Sequence, residues 1–226
     1  MKTLQPLNES TLAEAARTLA RRDSTLGLIF ADHGPPPLWA RQPNFATLVH
    51  IILEQQVSLA SAASIFARVK QNTVPFRPAR MIELGEMHLK SLGLTRQKAA
   101  YCLDLSESLC GKRLRLSQLS RMEDEEARTA LMQVKGIGRW SADIYLLMAL
   151  LRPDVWPAND LALAIAVKDL KQLRVIPTQQ QLQSMAEAWR PFRSVAARMF
   201  WQSYLAKQKA ARTLRKSNQK RTNPAQ

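Results

Sequence analysis

Apolar residues recur along this chain at spacings of three and four, which is the period of an amphipathic helix. The period is clear after Pro43-Asn44, at positions Phe45, Leu48, Val49, Ile52 and Leu53, and the run continues towards Val69. Alternation typical of β-strands is scarce. The pattern therefore predicts an all-α protein. Further helices are predicted at 11–22, 78–86, 96–110, 123–134, 140–151, 161–170, 179–189 and 191–207.

Two proline-rich segments interrupt the helical pattern. The segment "HGPPPLWARQP" at 33–43 contains three consecutive prolines, which hold the backbone extended. The segment "RPDVWPAN" at 152–159 forms a second break. The breaks bracket a central helical domain at 43–152. The flanking segments 1–42 and 153–206 are predicted to pack together as a second helical lobe.

The end of the chain, 207–226, differs in composition from the rest. It contains seven basic residues, no acidic residues and almost no large apolar ones. Such a segment cannot bury enough apolar surface to fold, so we expect a disordered tail. The tail either adds nonspecific contacts to phosphates or is a solvated end without a partner.

The chain is strongly basic, with 33 Lys and Arg against 18 Asp and Glu and a net charge of +15. This surplus favours a polyanionic partner, with nucleic acid first and an anionic membrane surface second. No apolar run approaches the roughly 18 residues that cross a bilayer, and the N-terminus shows no secretory signal. Cys102 and Cys110 have no metal-ligand spacing with the three histidines. We therefore expect an intracellular protein with no membrane partner and no cofactor.

The motif "KGIGR" at 135–139 lies between two predicted helices. Gly136 and Gly138 permit backbone conformations and close approaches that side chains forbid. The first N–H groups of the second helix then point outward at the positive end of the helix dipole, with Lys135 and Arg139 adding charge. This arrangement predicts a phosphate-binding hairpin. The alternative is an ordinary turn between two helices.

Asp160 follows the second proline-rich break and precedes the apolar run "LALAIAV". An acid in this position is a good N-cap for the following helix, which is the simplest interpretation. A carboxylate near bound nucleic acid is repelled by phosphates, however, so its presence suggests a reaction that develops positive charge. Cleavage of an N-glycosidic bond develops such charge on the sugar, in an oxocarbenium-like transition state.

The segments "LMQVKGIGRWSADIYLLMALL" and "DVWPANDLALA" resemble the helix-hairpin-helix DNA glycosylase superfamily, and within it 3-methyladenine DNA glycosylase II in a compact form. Three further segments agree with this resemblance: "ILEQQVSLASAASIFARV", "LKSLGLTRQKAAYCLDLSESL" and "AWRPFRSVAARMFWQSY". The resemblance covers nearly all of 43–204. It implies two helical lobes with a helix-hairpin-helix motif at about 134–139 and an active-site cleft between the lobes.

The resemblance also implies roles for individual residues. Asp160 takes the place of the essential carboxylate. Trp140 and Trp201 match aromatic walls of the base pocket, Ile144 aligns with a pocket tyrosine, and Tyr145 is its neighbour. The side chain that wedges into the duplex falls at Gln56. The residues implied to contact phosphate are Gln55, Ser58, Val134, Lys135, Gly136, Ile137, Gly138 and Arg139, and a monovalent cation is implied on the carbonyls of Met132, Val134 and Ile137.

Trp140 occupies the position of the Schiff-base lysine of the bifunctional glycosylase/lyases, and an indole cannot attack the sugar. The resemblance thus implies a monomeric, monofunctional enzyme that flips alkylated purines, such as 3-methyladenine and 7-methylguanine, out of double-stranded DNA and hydrolyses them. A bacterial cytoplasm and a eukaryotic nucleus both suit this activity. Two alternatives stay open: a glycosylase for deaminated or etheno bases, and a noncatalytic helix-hairpin-helix module that binds DNA.

Overall fold

The computed structural model of the chain describes residues 5–222, with side chains described as far as Thr213, and every regular element in that range is a helix. The all-α prediction is confirmed. The helices are α1 Glu9–Arg22, α2 Ser24–His33, α3 Phe45–Glu54, α4 Leu59–Asn72, α5 Pro78–Ser91, α6 Arg96–Cys110, α7 Leu116–Leu119, α8 Asp124–Met132, α9 Arg139–Met148, α10 Leu161–Leu170, α11 Gln179–Ala186 and α12 Arg193–Thr222, with a 3₁₀ turn at Glu187–Trp189.

The predicted continuous helix from Phe45 towards Val69 is wrong. α3 ends at Glu54 and α4 begins at Leu59. Gln56 lies between them with a left-handed φ of 56°, which no residue of a right-handed helix adopts. Ser58 then starts a new helix, because its side chain accepts a hydrogen bond from the N–H of Ser61 at 3.2 Å. The spacing of apolar residues does not reveal this break, because apolar residues continue on both sides of it.

The chain folds into two compact units. The first contains Trp39–Pro157 together with Gln5 and Pro6, and the second contains Leu7–Leu38 and the chain from Ala158 onward. The boundaries therefore lie four or five residues from the predicted positions 43 and 152. In the first unit the apolar faces of α3, α6 and α9 form much of the core. In the second unit α12 packs against α10, α2 and α1.

A buried arginine in the first unit joins two short elements. The guanidinium of Arg152 is 4% exposed and donates to the carbonyls of Ser120 at 3.1 Å and Met122 at 2.7 Å. These carbonyls follow α7, whose four residues supply little structure of their own. Arg152 also lies 3.4 Å from Asp124, at the start of α8. The chain entering the hairpin helices is therefore held by one cation.

The second unit has a polar network around Asp23, the N-cap of α2. Its carboxylate accepts from the backbone N–H groups of Thr25 and Leu26, from the indole N–H of Trp189 at 2.9 Å and from the ammonium of Lys171 at 3.0 Å. Burial raises the pKa of Asp23, but the hydrogen bonds from Trp189 and Lys171 and the charge of Lys171 outweigh burial, so the pKa is lowered. The network ties α2 to the segment that follows α10.

The basic end of the chain departs from its prediction. Composition predicts a disordered tail at 207–226, whereas the structure continues α12 as a helix to Thr222. Residues 223–226 lie outside the described residues. The helix continues because the buried first half of α12 nucleates it, and extension adds one hydrogen bond per residue in a segment without Gly or Pro. Over the described chain, no helix combines the length and apolar character needed to cross a membrane.

Asp23→Asn should destabilise the protein at neutral pH by about 2 kcal/mol, because the amide NH2 that replaces Oδ2 cannot accept from Trp189 and Lys171. The remaining oxygen of Asn still caps α2, so the change removes the charge and the hydrogen bonds to Oδ2 and leaves the cap. A lowered pKa in the folded state gives stability that is present above the ordinary pKa of 3.8 and is lost as the pH falls through the lowered value. Urea unfolding of both proteins should therefore show a difference at pH 7 that shrinks towards pH 3. An equal difference at both pH values would contradict this account.

Candidate functional site

Asp160 is held by two helices of the second unit. It is the N-cap of α10, and its Oδ1 atom accepts from the backbone N–H of Leu163 at 2.8 Å. The same oxygen accepts from the indole Nε1–H of Trp201, on α12, at 3.2 Å. Asp160 is 9% exposed and Trp201 7% exposed. One carboxylate oxygen is therefore anchored by two donors in a largely dehydrated position.

The backbone before Asp160 is held in an uncommon conformation. Asn159 has a left-handed φ of 56°, which Asn tolerates better than most residues. Its N–H donates to the side-chain carbonyl of Gln179, the first residue of α11, at 2.8 Å. Sequence reasoning did not single out Gln179. The sequence signal for an unusual turn is an Asn placed between a proline-rich break and an N-cap. No sequence pattern pointed to Gln179 as its hydrogen-bond partner.

The predicted hairpin lies between α8 and α9. The N–H of Ile137 donates to the carbonyl of Val134 at 3.0 Å, and both side chains are buried. Lys135, Gly138 and Arg139 are exposed. α9 begins at Gly138 without a side-chain cap. The turn therefore directs its apolar side chains inward and presents basic side chains and the positive end of a helix outward, as a phosphate site requires.

The structure distinguishes the two glycines of the hairpin, because only one of them is required by packing and backbone conformation. Gly136 has a φ of +87°, and a Cβ atom there would lie 2.1 Å from the Tyr101 ring. Gly138 has an ordinary φ of −87°, and a Cβ atom there would meet nothing within 4 Å. Gly136 is thus required by the protein's own packing. Gly138 is not required by packing; it is the N-cap of α9, a position that glycine occupies well.

Three contacts fix the hairpin to the rest of the first unit. The amide of Gln55 donates to the carbonyl of Gly136 at 2.8 Å and to the hydroxyl of Ser141 at 2.9 Å. The backbone N–H of Lys135 donates to the Asp104 carboxylate at 2.8 Å. Gln55 and the Lys135 backbone N–H were predicted to contact phosphate. These donors hold the hairpin in place, so a phosphate contact by either of them stays a prediction.

A buried ion pair joins the two hairpin helices. Arg128 of α8 and Asp143 of α9 lie 2.6 Å apart, with side chains 8% and 0% exposed. The charge and hydrogen bond of Asp143 raise the pKa of Arg128 despite burial, which acts to lower it. Arg139 lies 3.6 Å from the exposed Glu125, so its charge is partly offset on the surface. The geometry of the turn thus depends on a pair that sequence reasoning missed.

The predicted wedge and its neighbours lie in the loop between α3 and α4. Gln56 is exposed and has the left-handed conformation described above. Val57 and Leu59, which follow it, are 40% and 59% exposed. Ser58 caps α4 with its hydroxyl, so its predicted phosphate contact competes with a structural role.

The predicted pocket residues of α9 differ in exposure. Trp140 is half-buried, whereas Ile144 is 3% exposed and Tyr145 0% exposed. Burial raises the pKa of Tyr145, so the phenol is neutral. The two residues lie in the core because they fall on the inward face of α9, and they offer no surface to a ligand in this conformation. For the predicted cation, the Val134 carbonyl already uses one of its two lone pairs within the turn, so cation binding stays a prediction.

Comparison with known proteins agrees with this geometry. The profile of the family described as "HhH-GPD superfamily base excision DNA repair protein" matches residues 49–192. DNA-3-methyladenine glycosylase 1 of Schizosaccharomyces pombe is 27% identical over 179 residues, which span 77% of this chain and 78% of that protein. A structure of the S. pombe 3-methyladenine DNA glycosylase in complex with abasic DNA has a TM-score of 0.74 at 26% identity, covering 83% of this chain and 95% of the other.

A more distant structure shares the fold alone. It is a Clostridium acetobutylicum 8-oxoguanine glycosylase/lyase in complex with DNA, with a TM-score of 0.70 at 16% identity over 87% of this chain and 70% of the other. The family profile covers more than half of the chain and includes both the hairpin and Asp160. This protein therefore belongs to the HhH-GPD superfamily of base excision DNA repair proteins, and the predicted family is confirmed.

The two hairpin glycines should respond differently to alanine. Gly136→Ala should cost about 3 kcal/mol of folding free energy, because the methyl group meets the Tyr101 ring and the backbone favours glycine. Gly138→Ala should cost about 1 kcal/mol or less, the difference between Gly and Ala as an N-cap. Urea unfolding measures the free energy of unfolding of both variants. Equal losses of this free energy would contradict the difference in packing between positions 136 and 138.

Proposed function

We propose that this protein is a monofunctional DNA glycosylase that hydrolyses the N-glycosidic bond of alkylated purines, such as 3-methyladenine and 7-methylguanine, in double-stranded DNA. The carrying observation is the Asp160 carboxylate, buried yet anchored through one oxygen by α10 and Trp201. Support comes from the family and from a relative named for 3-methyladenine. A DNA complex of a related structure supports duplex DNA as the partner.

The reaction suits a site with one acid and few other polar groups. Alkylation at N3 of adenine or N7 of guanine places positive charge on the base, so the glycosidic bond is already weak. The enzyme must extrude the nucleotide from the duplex and stabilise the cationic sugar as the base leaves. In a poorly hydrated position the negative charge of Asp160 acts on that sugar more strongly than it would in water. Asp160 also orients the attacking water in this proposal.

Trp201 contributes in two ways. Its indole N–H holds Asp160, and the hydrogen bond in turn restricts the orientation of the ring. An indole face attracts a cation such as an alkylated base. Trp140, which is half-buried, stays a predicted contact of the extruded base. Gln56, exposed and held in a left-handed turn, is assigned as the side chain that fills the gap in the duplex.

Base release without strand cleavage is part of the proposal. A lyase needs an amine that forms a Schiff base with the sugar, and Trp140 stands where the related lyases have their lysine. The hairpin at Lys135, Gly138 and Arg139 is assigned to the DNA backbone. The protein is expected to act as a monomer wherever chromosomal DNA lies, in a bacterial cytoplasm or a nucleus. Deaminated or etheno bases are the alternative lesions, and a noncatalytic DNA-binding module is the alternative function.

Asp160→Asn should abolish base release while leaving the fold intact. Asn is as good an N-cap as Asp, and its oxygen can still accept from Leu163 and Trp201, so the change removes the negative charge and replaces the second carboxylate oxygen by an amide NH2. Single-turnover release of free base from methylated duplex DNA should fall by about 100-fold or more. Affinity for the same DNA should persist, and strand nicking, scored separately, should be absent from both proteins.

The outcomes of that assay separate the alternatives. Equal base release by Asp160→Asn and wild type would remove Asp160 from the chemistry. Nicking by the wild type would contradict a monofunctional enzyme. If the wild type releases hypoxanthine or etheno-adenine but no methylated purine, the lesion class is wrong. DNA binding without release of any base would favour the noncatalytic module, with Asp160 acting as a cap.

Trp201→Phe should lower the affinity for a duplex with a cationic sugar mimic more than it lowers the affinity for a duplex with a neutral one. The variant keeps an aromatic ring but loses the N–H that anchors Asp160. A duplex with a cationic pyrrolidine in place of the sugar mimics the transition state, and one with neutral tetrahydrofuran does not. The preference of the wild type for the cationic duplex should fall about tenfold in the variant, as expected for one charged hydrogen bond. Equal losses for both duplexes would assign Trp201 to packing alone.

A further inference from the structure

The helix α12 has two parts with different surroundings. Its first part, from Arg193 to Trp201, is largely buried and contributes Val195, Met199 and Phe200 to the core of the second unit. From Lys207 to Thr213, the last residue with a described side chain, every side chain is exposed. The backbone nevertheless remains helical to Thr222. We call the segment 207–222 the basic arm.

All seven basic residues of the chain end lie within the basic arm, and the arm has no acidic residue. Lys207, at its start, pairs with Asp169 of α10. The other cations are Lys209, Arg212, Arg215, Lys216, Lys220 and Arg221. Six cations along one helix, without an acid of their own, form a strongly positive element in a chain that is already basic.

Such a helix gains little stability from the protein itself. Leu214 is its sole large apolar residue, and a segment of this length is marginally helical in isolation. Like charges on neighbouring helical positions, as at the exposed Lys209 and Arg212, further destabilise it. A ligand with negative charges along its length would offset this repulsion and stabilise the helix. An extended polyanion therefore suits the arm.

We propose that the basic arm binds the sugar–phosphate backbone of duplex DNA, outside the duplex step from which the damaged nucleotide is extruded. Sixteen helical residues span about 24 Å, the length of about seven base pairs. The arm continues the helix that carries Trp201, and Lys207 is about 9 Å along the axis from that residue. The arm therefore adds affinity for any sequence and leaves lesion recognition to Asp160 and its surroundings.

The occupant is DNA because the family acts on DNA and the arm is continuous with the helix that carries a site residue. The proposal rests on DNA binding by the proposed function and does not require base release. Each phosphate that a cation of the protein neutralises adds about 0.9 to the magnitude of the slope of log affinity against log salt concentration, so each lost contact lowers that magnitude by about 0.9. The slope of log DNA affinity against log salt concentration therefore measures how many phosphates the arm contacts.

The test replaces four cations of the arm by Gln in the full chain: Lys209→Gln, Arg212→Gln, Arg215→Gln and Lys216→Gln. Gln preserves helix propensity and removes charge alone. The matched control removes the same charge from exposed residues elsewhere, with Arg17→Gln, Arg21→Gln, Lys70→Gln and Lys90→Gln. Affinity for an undamaged 30-base-pair duplex is measured across a salt series for both variants and the wild type.

The arm variant should lower the salt slope by about 3 to 4, whereas the control should lower it by less than about 1. Single-turnover base release at saturating protein should match wild type in the arm variant. An unchanged slope, or equal changes in arm variant and control, overturns the proposal. Loss of binding to phosphatidylserine vesicles with an unchanged DNA slope overturns it too, in favour of a membrane. A wild type without glycosylase activity would refute the proposed function, and the slopes would still decide the arm.

Discussion

The double hydrogen bond to Oδ1 of Asp160 is the interaction on which this account depends. A carboxylate that is 9% exposed loses most of its hydration, which is costly unless donors replace water. The N-terminus of α10 supplies one donor and a favourable dipole, and the Trp201 indole supplies the other. The fold thus gives a buried acid two hydrogen-bond donors by making it a helix cap beside Trp201. The same bonds leave its position well defined for chemistry.

The hairpin and the loop at Gln56 in the first unit are the parts that we propose contact DNA. Gln55, Asp104 and the Arg128–Asp143 ion pair hold the hairpin in place. The exposed groups of the turn are not needed for that purpose. Gly136 accommodates the Tyr101 ring, and Gly138 faces open space. The loop at Gln56 separates α3 from α4 and exposes a polar side chain that is followed by the exposed apolar residues Val57 and Leu59. Each feature places backbone or side chains at a surface that a duplex can approach.

Apolar periodicity was sufficient to predict the helical class and several helices, because burial of one face dictates the spacing. The bounds of α6 and α10 match their predictions, and both begin with residues that cap helices well, Thr95 and Asp160. α2 was missed because it is apolar on most sides and contains Gly27. The break at Gln56 was missed because it depends on backbone conformation. The uses of Gln55 and Asn159 depend on partners 81 and 20 residues away, which no local pattern identifies. Asp160 was predictable as a helix cap, which the structure confirms, and its catalytic role stays a prediction.

The central claim is that a charged, anchored Asp160 lets this protein hydrolyse a glycosidic bond without cutting the strand. Mass spectrometry of a duplex with one 7-methylguanine, after incubation with wild-type protein and against a protein-free control, tests it most directly. The account predicts a strand that has lost the methylated base, gained a hydroxyl at the sugar and kept its full length. An unchanged strand would contradict the glycosylase activity on this lesion, and a strand cut at the lesion would contradict the monofunctional mechanism.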